Sequence, residues 1–166
     1  MYSGSITDIQ GLLAGHAQDT AGRTGITVVL APNGAVCGVD VRGSAPGTRE
    51  TAFMSQGKAV QECYAVLLAG GSAFGLAAAD GVMIYCEQQG MGVRTEDAVV
   101  PIVPAAVIYD LGYGRSDIRP NAGSTTFLIS LLKQTTPPRM SGSSAPTSKP
   151  VAKGLDREYT SIDELA

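Results

Sequence analysis

Apolar residues in the first 120 positions recur with the spacings of strands and helices. The β-branched run at 25–30 predicts a strand, and Pro32-Asn33-Gly34 predicts a turn into a hairpin partner at 35–41. A further apolar run, at 65–69, predicts a buried strand. These patterns indicate a domain built around a sheet.

The strand at 65–69 leads through Gly70 and Gly71 into an alanine-rich segment with helical periodicity. Ser72 is placed to cap this helix, because its hydroxyl can accept hydrogen bonds from N–H groups of the first turn. Gly90 is a signal for the C-terminal end of the helix. The positions that share one face are Leu76, Ala79, Val82, Met83 and Cys86.

Two prolines limit the structure that can follow this helix. Pro101 and Pro104 cannot donate to a strand ladder, so the segment 99–104 is excluded as a central strand. The run at 105–111 predicts one more strand. Before the buried strand, residues 51–63 have a mixed composition that fits a short helix.

The composition changes after Asn121. Residues 127–132 form a short apolar run, and twelve of the sixteen residues at 135–150 are Ser, Thr, Pro or Gly. Such a composition does not support a packed core. We therefore divide the chain into a folded part, 1–121, and a divergent, low-complexity tail, 122–166.

Composition narrows the classes of function. The 166 residues suffice for one domain, 44% of them are apolar, and a net charge of −3 gives no basic surface for nucleic acid. No apolar run is long enough to span a bilayer, and the first residues lack a secretory pattern. The wide spacing of Cys37, Cys63 and Cys86 does not suit a zinc site, so we expect no metal. We expect three reduced, buried thiols and a cytoplasmic protein.

The glycine turn is the strongest candidate site, and we define it as Gly70, Gly71, Ser72, Ala73, Phe74 and Gly75. A strand that enters a helix through glycines presents N–H groups that stabilise developing negative charge, so we expect these residues to line a substrate pocket. Known motifs do not fit. Ser72 replaces the second Gly of a dinucleotide motif, Phe74 replaces the last Gly of a nucleophile elbow, and no P-loop Lys is near. The alternative interpretation is a tight packing turn.

Other candidate groups are sparse. His16 is the only histidine, and a surface position fits it better than a catalytic triad does. Asp40 and Arg42 are two residues apart at the end of a predicted strand, so their side chains point to the same face and can form a buried ion pair. The alternative is a role in a substrate pocket or in a subunit contact.

Three long segments in a fixed order resemble the N-terminal half of one enzyme family. They are 6–9 and 15–17 with GVDVRGSAPGTRET at 38–51, GGSAFGLAAADGV at 70–82, and VPIVPAAVIYDL at 100–111 with Arg119-Pro120. Over about residues 5–121, the chain resembles the DmpA-like peptidases, the family of L-aminopeptidase/D-esterases and β-aminopeptidases.

This resemblance implies a four-layer α/β/β/α sandwich of the DmpA/ArgJ type, of which the chain carries the N-terminal part. It implies a precursor that cleaves itself before a Ser or Thr, whose freed amine and hydroxyl become the base and the nucleophile. The implied reaction is acyl transfer, which releases N-terminal residues from small peptide, amide or ester substrates. No metal or organic cofactor is implied, and the mature enzyme is a homo-oligomer of the cleaved pieces.

The sequence departs from the family pattern at two places. Related amide hydrolases carry a Tyr at the position of Phe74, so a proton relay through that hydroxyl does not carry over. After Ala122, the family's Gly-Lys segment, a later Asn and the nucleophile half are not recognisable. A frameshift near residue 122, a truncated gene product or an internal deletion would each produce this pattern.

An internal deletion would make Ser124 the nucleophile, because 122–129 resembles the start of a nucleophile half with a strand after the scissile Gly123–Ser124 bond. Three hypotheses follow: a peptidase fragment without its nucleophile half, a shortened active hydrolase that uses Ser124, and a non-catalytic binding or interaction protein on a half-fold. A half-fold would leave one sheet face uncovered. We therefore expect the chain alone to be marginally stable, aggregation-prone or oligomeric.

Overall fold

The computed structural model describes residues 5–55 and 57–125. Seven strands and the α-helix Ala78–Gln88 lie in these residues, with three 3₁₀ helices at Ile6–Asp8, Ala52–Met54 and Ser72–Ala77. Residues 122–125 are helical as well. In chain order, the larger elements are β1 (Leu13–Asp19), β2 (Thr24–Val36), β3 (Thr48–Arg49), β4 (Glu62–Ala69), α1 (Ala78–Gln88), β5 (Val93–Arg94), β6 (Val99–Val100) and β7 (Ala105–Val107).

Five of the strands form one sheet in the order β1-β2-β4-β7-β3. Strands β1, β2 and β4 are antiparallel neighbours, β7 lies parallel to β4, and β3 is antiparallel to β7. The helix α1 lies in the crossover between the parallel pair, as parallel pairing requires a long connection. Strands β5 and β6 form a separate two-stranded sheet. The fold is therefore mixed α/β, as expected from the sequence.

One face of the sheet forms the core with α1. Because side chains alternate along a strand, every second residue of β2 and β4 is buried on this face. Helix α1 covers them with the side chains predicted from its periodicity. The buried members are Ile26, Val28, Leu30, Ala65, Leu67, Ala69, Ala79, Val82 and Cys86, and the partly buried Leu76 and Met83 pack against them.

The opposite face of the sheet, which we call the second face, carries an apolar strip beside polar residues of β1 and β2, among them His16 and Thr27. Val29 on β2 pairs with Val66 on β4, and Leu68 on β4 pairs with Ala106 on β7. These four side chains are only partly buried. The segment 37–54 lies against part of this face and leaves a groove of about 500 Å³.

The end of α1 follows the glycine signal in the sequence. The N–H of Gly90 donates to the carbonyl of Glu87 and that of Met91 donates to the carbonyl of Cys86, both at 2.9 Å. Gly90 has φ +67°, which a residue with a side chain adopts at a cost. This is the Schellman arrangement, and it confirms the predicted stop at Gly90.

Two local predictions were wrong. The turn predicted at Pro32-Asn33-Gly34 lies inside β2, whose register against β4 shifts between Leu30 and Ala35. The extra residues are absorbed as a bulge, so 35–41 continues β2 only to Val36 and forms no hairpin partner. Ser72 does not cap the helix, because it is the first helical residue and Gly71 precedes it in a left-handed conformation.

The predictions for residues 99–104, 105–111 and 51–63 agree better with the structure. The segment 99–104 holds only the two-residue β6, outside the main sheet, and the predicted strand at 105–111 is realised as the shorter β7. The expected helix in 51–63 is the 3₁₀ helix Ala52–Met54. The strand β1 was missed. The apolar run at 127–132 and the Ser/Thr/Pro-rich stretch at 135–150 lie outside the described residues.

The expectation of three reduced thiols was wrong. Cys37 and Cys63 form a disulfide, with a sequence separation of 26 and 6.4 Å between their Cα atoms. They come together because Ala35 pairs with Cys63 just before β2 ends. Cys86 is the free, buried cysteine, as expected. The argument for a cytoplasmic location from reduced cysteines therefore loses its basis.

Reduction of the disulfide should destabilise the chain. A cross-link that closes a loop of 26 residues restricts the unfolded chain and is worth about 3 kcal/mol. Urea unfolding with and without reductant measures this difference, and Cys37→Ser should unfold at the same urea concentration under both conditions. A titration of denatured, unreduced protein that finds three thiols instead of one would contradict the pairing.

Candidate functional site

The glycine turn joins the end of β4 to α1 in a backbone conformation that is narrowly determined. Gly71 has φ +82° and Ser72 has φ +54°, so two consecutive residues are left-handed. A Cβ atom on Gly70 would lie 2.0 Å from Oδ2 of Asp110 and 2.2 Å from Oγ1 of Thr24. Only glycine fits at position 70, because any side chain would displace one of these two groups.

The first three N–H groups of the turn donate hydrogen bonds to acceptors within the chain. Gly70 donates to the carbonyl of Gly25 and Ser72 to the carbonyl of Ile108, both at 2.9 Å. Gly71 donates to Oδ1 of Asp110 at 2.6 Å. From the sequence, we expected these N–H groups to be free to interact with a substrate. These three already have acceptors, so they do not form an open site for negative charge.

Asp110 contacts the glycine turn, and the sequence did not predict that it belongs to this site. Its Oδ1 accepts from Gly71 and its Oδ2 accepts from the hydroxyl of Thr24 at 2.7 Å. Thr24 is 6% exposed and is the first residue of β2, whereas Asp110 follows β7. The one signal in the sequence was an acid at the end of an apolar run, which an exposed strand end would explain equally well.

The outer surface of the turn is formed by side chains. Ala73 is exposed and Phe74 is 55% exposed. The guanidinium carbon of Arg119 lies 3.7 Å from the centroid of the Phe74 ring, and Nε of Arg119 donates to the carbonyl of Ser116 at 2.7 Å. The turn therefore presents an aromatic ring under a cation, which is a cation–π contact.

A second arginine ties the matched segment 38–51 to the helix. Arg49 on β3 contacts Asp80 at 2.6 Å through Nη1, and its Nη2 lies 3.0 Å from the sulfur of Met83. Asp40 and Arg42 also form the expected ion pair at 2.6 Å, but both side chains are exposed, with 66% and 86% of their surface accessible. The expectation that this pair is buried was wrong, because residues 37–42 lie outside the strands.

His16, Cys86 and Ser124 are three candidate nucleophiles or bases. His16 lies exposed on β1, with Nδ1 at 2.8 Å from Oγ1 of Thr27 across the strand pair, which confirms a surface position. Burial raises the pKa of the Cys86 thiol to about 11, so this thiol stays protonated near neutral pH and is a poor nucleophile.

Ser124 lies in a helical turn at 122–125, and not at the start of a strand. Oδ1 of Asn121 accepts from the N–H groups of Gly123 at 2.9 Å and Ser124 at 3.2 Å. This turn packs on α1, because a Cβ atom on Gly81 would lie 2.2 Å from the carbonyl oxygen of Ala122. The role of Ser124 as a nucleophile stays a prediction.

Neither a metal centre nor a membrane span is found in the part of the chain that the structure describes. Within residues 5–55 and 57–125, no three His, Cys, Asp or Glu side chains gather as a metal site. Over the same residues, no helix has the length and apolar content needed to cross a membrane.

Comparison with known proteins places these features in a family. A sequence model of peptidase family S58 matches residues 4–124. An uncharacterized aminopeptidase of Mycobacterium tuberculosis is 50% identical over 126 residues, and a Mycobacterium leprae counterpart is 52% identical. A 6-aminohexanoate-oligomer endohydrolase of a Kocuria species is 35% identical over 114 residues.

These matches cover most of this chain but a minority of each relative. The mycobacterial matches cover 71% of this chain, with 37% of the first relative and 35% of the second. The endohydrolase match covers 69% of this chain and 30% of the relative. The chain thus spans about a third of the length of the relatives it matches. The family match over residues 4–124 confirms the resemblance to the DmpA-like enzymes, and the chain belongs to peptidase family S58.

Proposed function

We propose that this chain forms the N-terminal part of an amidohydrolase that releases N-terminal residues from small peptides, amides or esters. The observation that carries the proposal is the family match over residues 4–124, which includes the glycine turn and the whole five-stranded sheet. Relatives named as aminopeptidases and as hydrolases of 6-aminohexanoate oligomers share this part. Their shared chemistry is cleavage of an amide bond by acyl transfer.

The nucleophile in this proposal is a Ser or Thr freed by self-cleavage, with its own amine as the general base. Three candidate groups among the described residues bear on where this nucleophile lies. Cys86 is buried and protonated, His16 lies on the surface, and the amide of Ser124 donates within a helical turn. The nucleophile is therefore assigned to a second polypeptide segment that completes the enzyme.

The glycine turn is assigned to the substrate pocket, through its side chains. The N–H groups of residues 70–72 are bonded within the chain, whereas Ala73 and Phe74 are exposed. Phe74 has no hydroxyl, so it contributes contact area and the cation–π partner of Arg119, and no proton transfer. Charge stabilisation in the reaction then falls to groups other than these three amides.

The second face of the sheet is the surface against which the completing segment packs, as in a four-layer α/β/β/α sandwich. Val29, Val66, Leu68 and Ala106 are apolar and partly exposed there, while the first face is already filled by α1. Burying apolar surface contributes about 25 cal/mol per Å². A chain without this cover self-associates, so we assign the isolated protein to an oligomer.

The proposed activity requires two parts. The chain alone should not hydrolyse amino-acid p-nitroanilides or 6-aminohexanoate oligomers. Turnover should begin when the remainder of the Mycobacterium tuberculosis relative, beyond its matching 126 residues, is added as a separate polypeptide. Hydrolysis is followed by absorbance and by mass spectrometry. A mixture that binds but never turns over would favour a non-catalytic binding protein and would sink the proposal.

The intact mass of the purified chain separates this proposal from a shortened hydrolase that uses Ser124. A single species near 17.0 kDa is expected. Two pieces that meet at Gly123–Ser124, with hydrolysis by the chain alone, would establish the shortened enzyme instead. Ser124→Ala would then abolish both cleavage and activity, whereas Ser55→Ala, at an exposed serine that follows the 3₁₀ helix Ala52–Met54, would preserve them.

Two neighbouring leucines on β4 test the second face. Leu67 is fully buried against α1, whereas Leu68 lies on the second face. Leu67→Gln should lower the free energy of unfolding by about 3 kcal/mol or more, because it leaves an unpaired amide in the core. Leu68→Gln should cost about 1 kcal/mol or less and should reduce self-association in sedimentation experiments. Unchanged association in Leu68→Gln, or a monomeric wild-type chain with sharply cooperative unfolding, would contradict the assignment.

A further inference from the structure

We propose that Asp110 is the positioning residue of the glycine turn, and that its carboxylate holds the turn in the conformation that presents Phe74. Asp110 is not a catalytic residue in this proposal, because it acts through Gly71 and has no contact with the exposed surface of the turn. The inference rests on the proposed function only where it concerns substrate. Its structural part stands on contacts within the chain.

The carboxylate of Asp110 links three separate elements of the fold. Oδ1 accepts from the N–H of Gly71 at 2.6 Å, and Oδ2 accepts from Oγ1 of Thr24 at 2.7 Å. These partners lie 39 and 86 residues away in sequence, after β4 and at the start of β2. Hydrogen bonds to a carboxylate are about twice as strong as those between neutral groups. Asp110 is therefore the group through which the ends of β2, β4 and β7 are aligned.

The backbone of the glycine turn is strained at Ser72. Ser72 is left-handed with φ +54°, a conformation that costs a residue with a side chain about 1 kcal/mol or more. Such a conformation persists only where its surroundings enforce it. The two N–H groups that flank the Cα of Gly71 are those of Gly71 and Ser72, and they are held by Asp110 and by the carbonyl of Ile108. Both acceptors come from the same short segment that follows β7.

Close packing around the turn leaves no space for another backbone conformation. A Cβ atom on Gly70 would clash with Asp110 and Thr24, and one on Gly75 would lie 1.9 Å from the carbonyl oxygen of Gly70. The backbone therefore packs directly on the carboxylate. Loss of the carboxylate would open a space beneath Gly70 and free the N–H of Gly71, so the turn would lose its fixed geometry.

The position of Phe74 follows from the position of the turn. A Cβ atom on Gly71 would lie 3.0 Å from Cδ of Pro120 and 3.6 Å from Cβ of Arg119, so the segment that carries Arg119 rests on Gly71. Arg119 in turn stacks on Phe74. A shift of Gly71 would therefore move both partners of the cation–π contact, and with them the surface that we assign to substrate.

Amide hydrogen exchange in the full chain tests the structural part. In Asp110→Ala, exchange in the peptide covering 70–76 should accelerate about tenfold or more, since a charged hydrogen bond is lost locally. Exchange at the other end of the β1/β2 pair, around Leu13 and Leu30, should stay unchanged. Asp110→Asn should restore much of the protection, because the amide oxygen can still accept from Gly71. Asp97→Ala, at an exposed acid between β5 and β6, is the matched control.

Two outcomes would overturn the proposal. Protection at 70–76 that is the same in Asp110→Ala as in the wild type would show that the carboxylate does not hold the turn. Equal acceleration at every amide would show a role in global stability only. If Asp110→Ala does not fold, Thr24→Val decides the question, because it keeps the shape of the site and removes the hydroxyl that donates to Oδ2 of Asp110. Wild-type protection at 70–76 in Thr24→Val would then also refute the proposal.

The two-part hydrolysis assay tests the connection with substrate. With Asp110→Ala, KM should rise about tenfold while kcat changes less, because the variant displaces a binding surface and no reacting group. Asp97→Ala, at an exposed acid between β5 and β6, should leave both constants unchanged. A fall in kcat alone would contradict the assigned role. If wild-type chain gives no turnover in this assay, the proposed function fails, and hydrogen exchange still decides the role of Asp110.

Discussion

The close approach of Gly70 to Asp110 and Thr24 is the contact on which the rest of the fold depends. A residue without a side chain lets the end of β4 pack against a carboxylate that follows β7 and a hydroxyl that begins β2. Because these three strands are neighbours in the sheet, the contact aligns their ends at one edge. The turn into α1 starts from this point, so the placement of the helix on the sheet is set by it as well.

The two faces of the sheet that results are covered differently. On the face toward α1, alternate residues such as Val28 and Leu67 are fully buried. On the second face, within the described residues, Leu68 and Ala106 line a groove of about 500 Å³ beside the segment 37–54. Antiparallel sheets in water usually carry polar residues on their open face, and β1 and β2 do so at His16 and Thr27. The apolar strip beside them is the part of this face to which the proposed function assigns a partner.

The sequence predicted the parts of this fold in which local pattern and packing agree. The periodicity of α1, the stop at Gly90 and the exclusion of 101–104 from the main sheet all depend on intrinsic properties of helices, glycine and proline. Pairing between distant segments decided the rest. The turn residues at Pro32-Asn33-Gly34 were absorbed as a bulge because β4 continues to pair beyond them. The same register brings Cys63 opposite Ala35 and next to Cys37, which spacing along the chain could not reveal.

The candidate site illustrates the same limit in chemical terms. The sequence identified the glycine turn correctly as a strand-to-helix connection, but it suggested that its amides were free for a ligand. The structure places Asp110, Ile108 and Gly25 on those amides. An N–H group that already donates to a carboxylate at 2.6 Å gains little from a developing oxyanion, because the first acceptor must be given up. The turn therefore presents Phe74 on a backbone whose first amides already have acceptors. Under the proposed function, the turn shapes the pocket, and the charge that develops in hydrolysis has to be stabilised by groups from other segments.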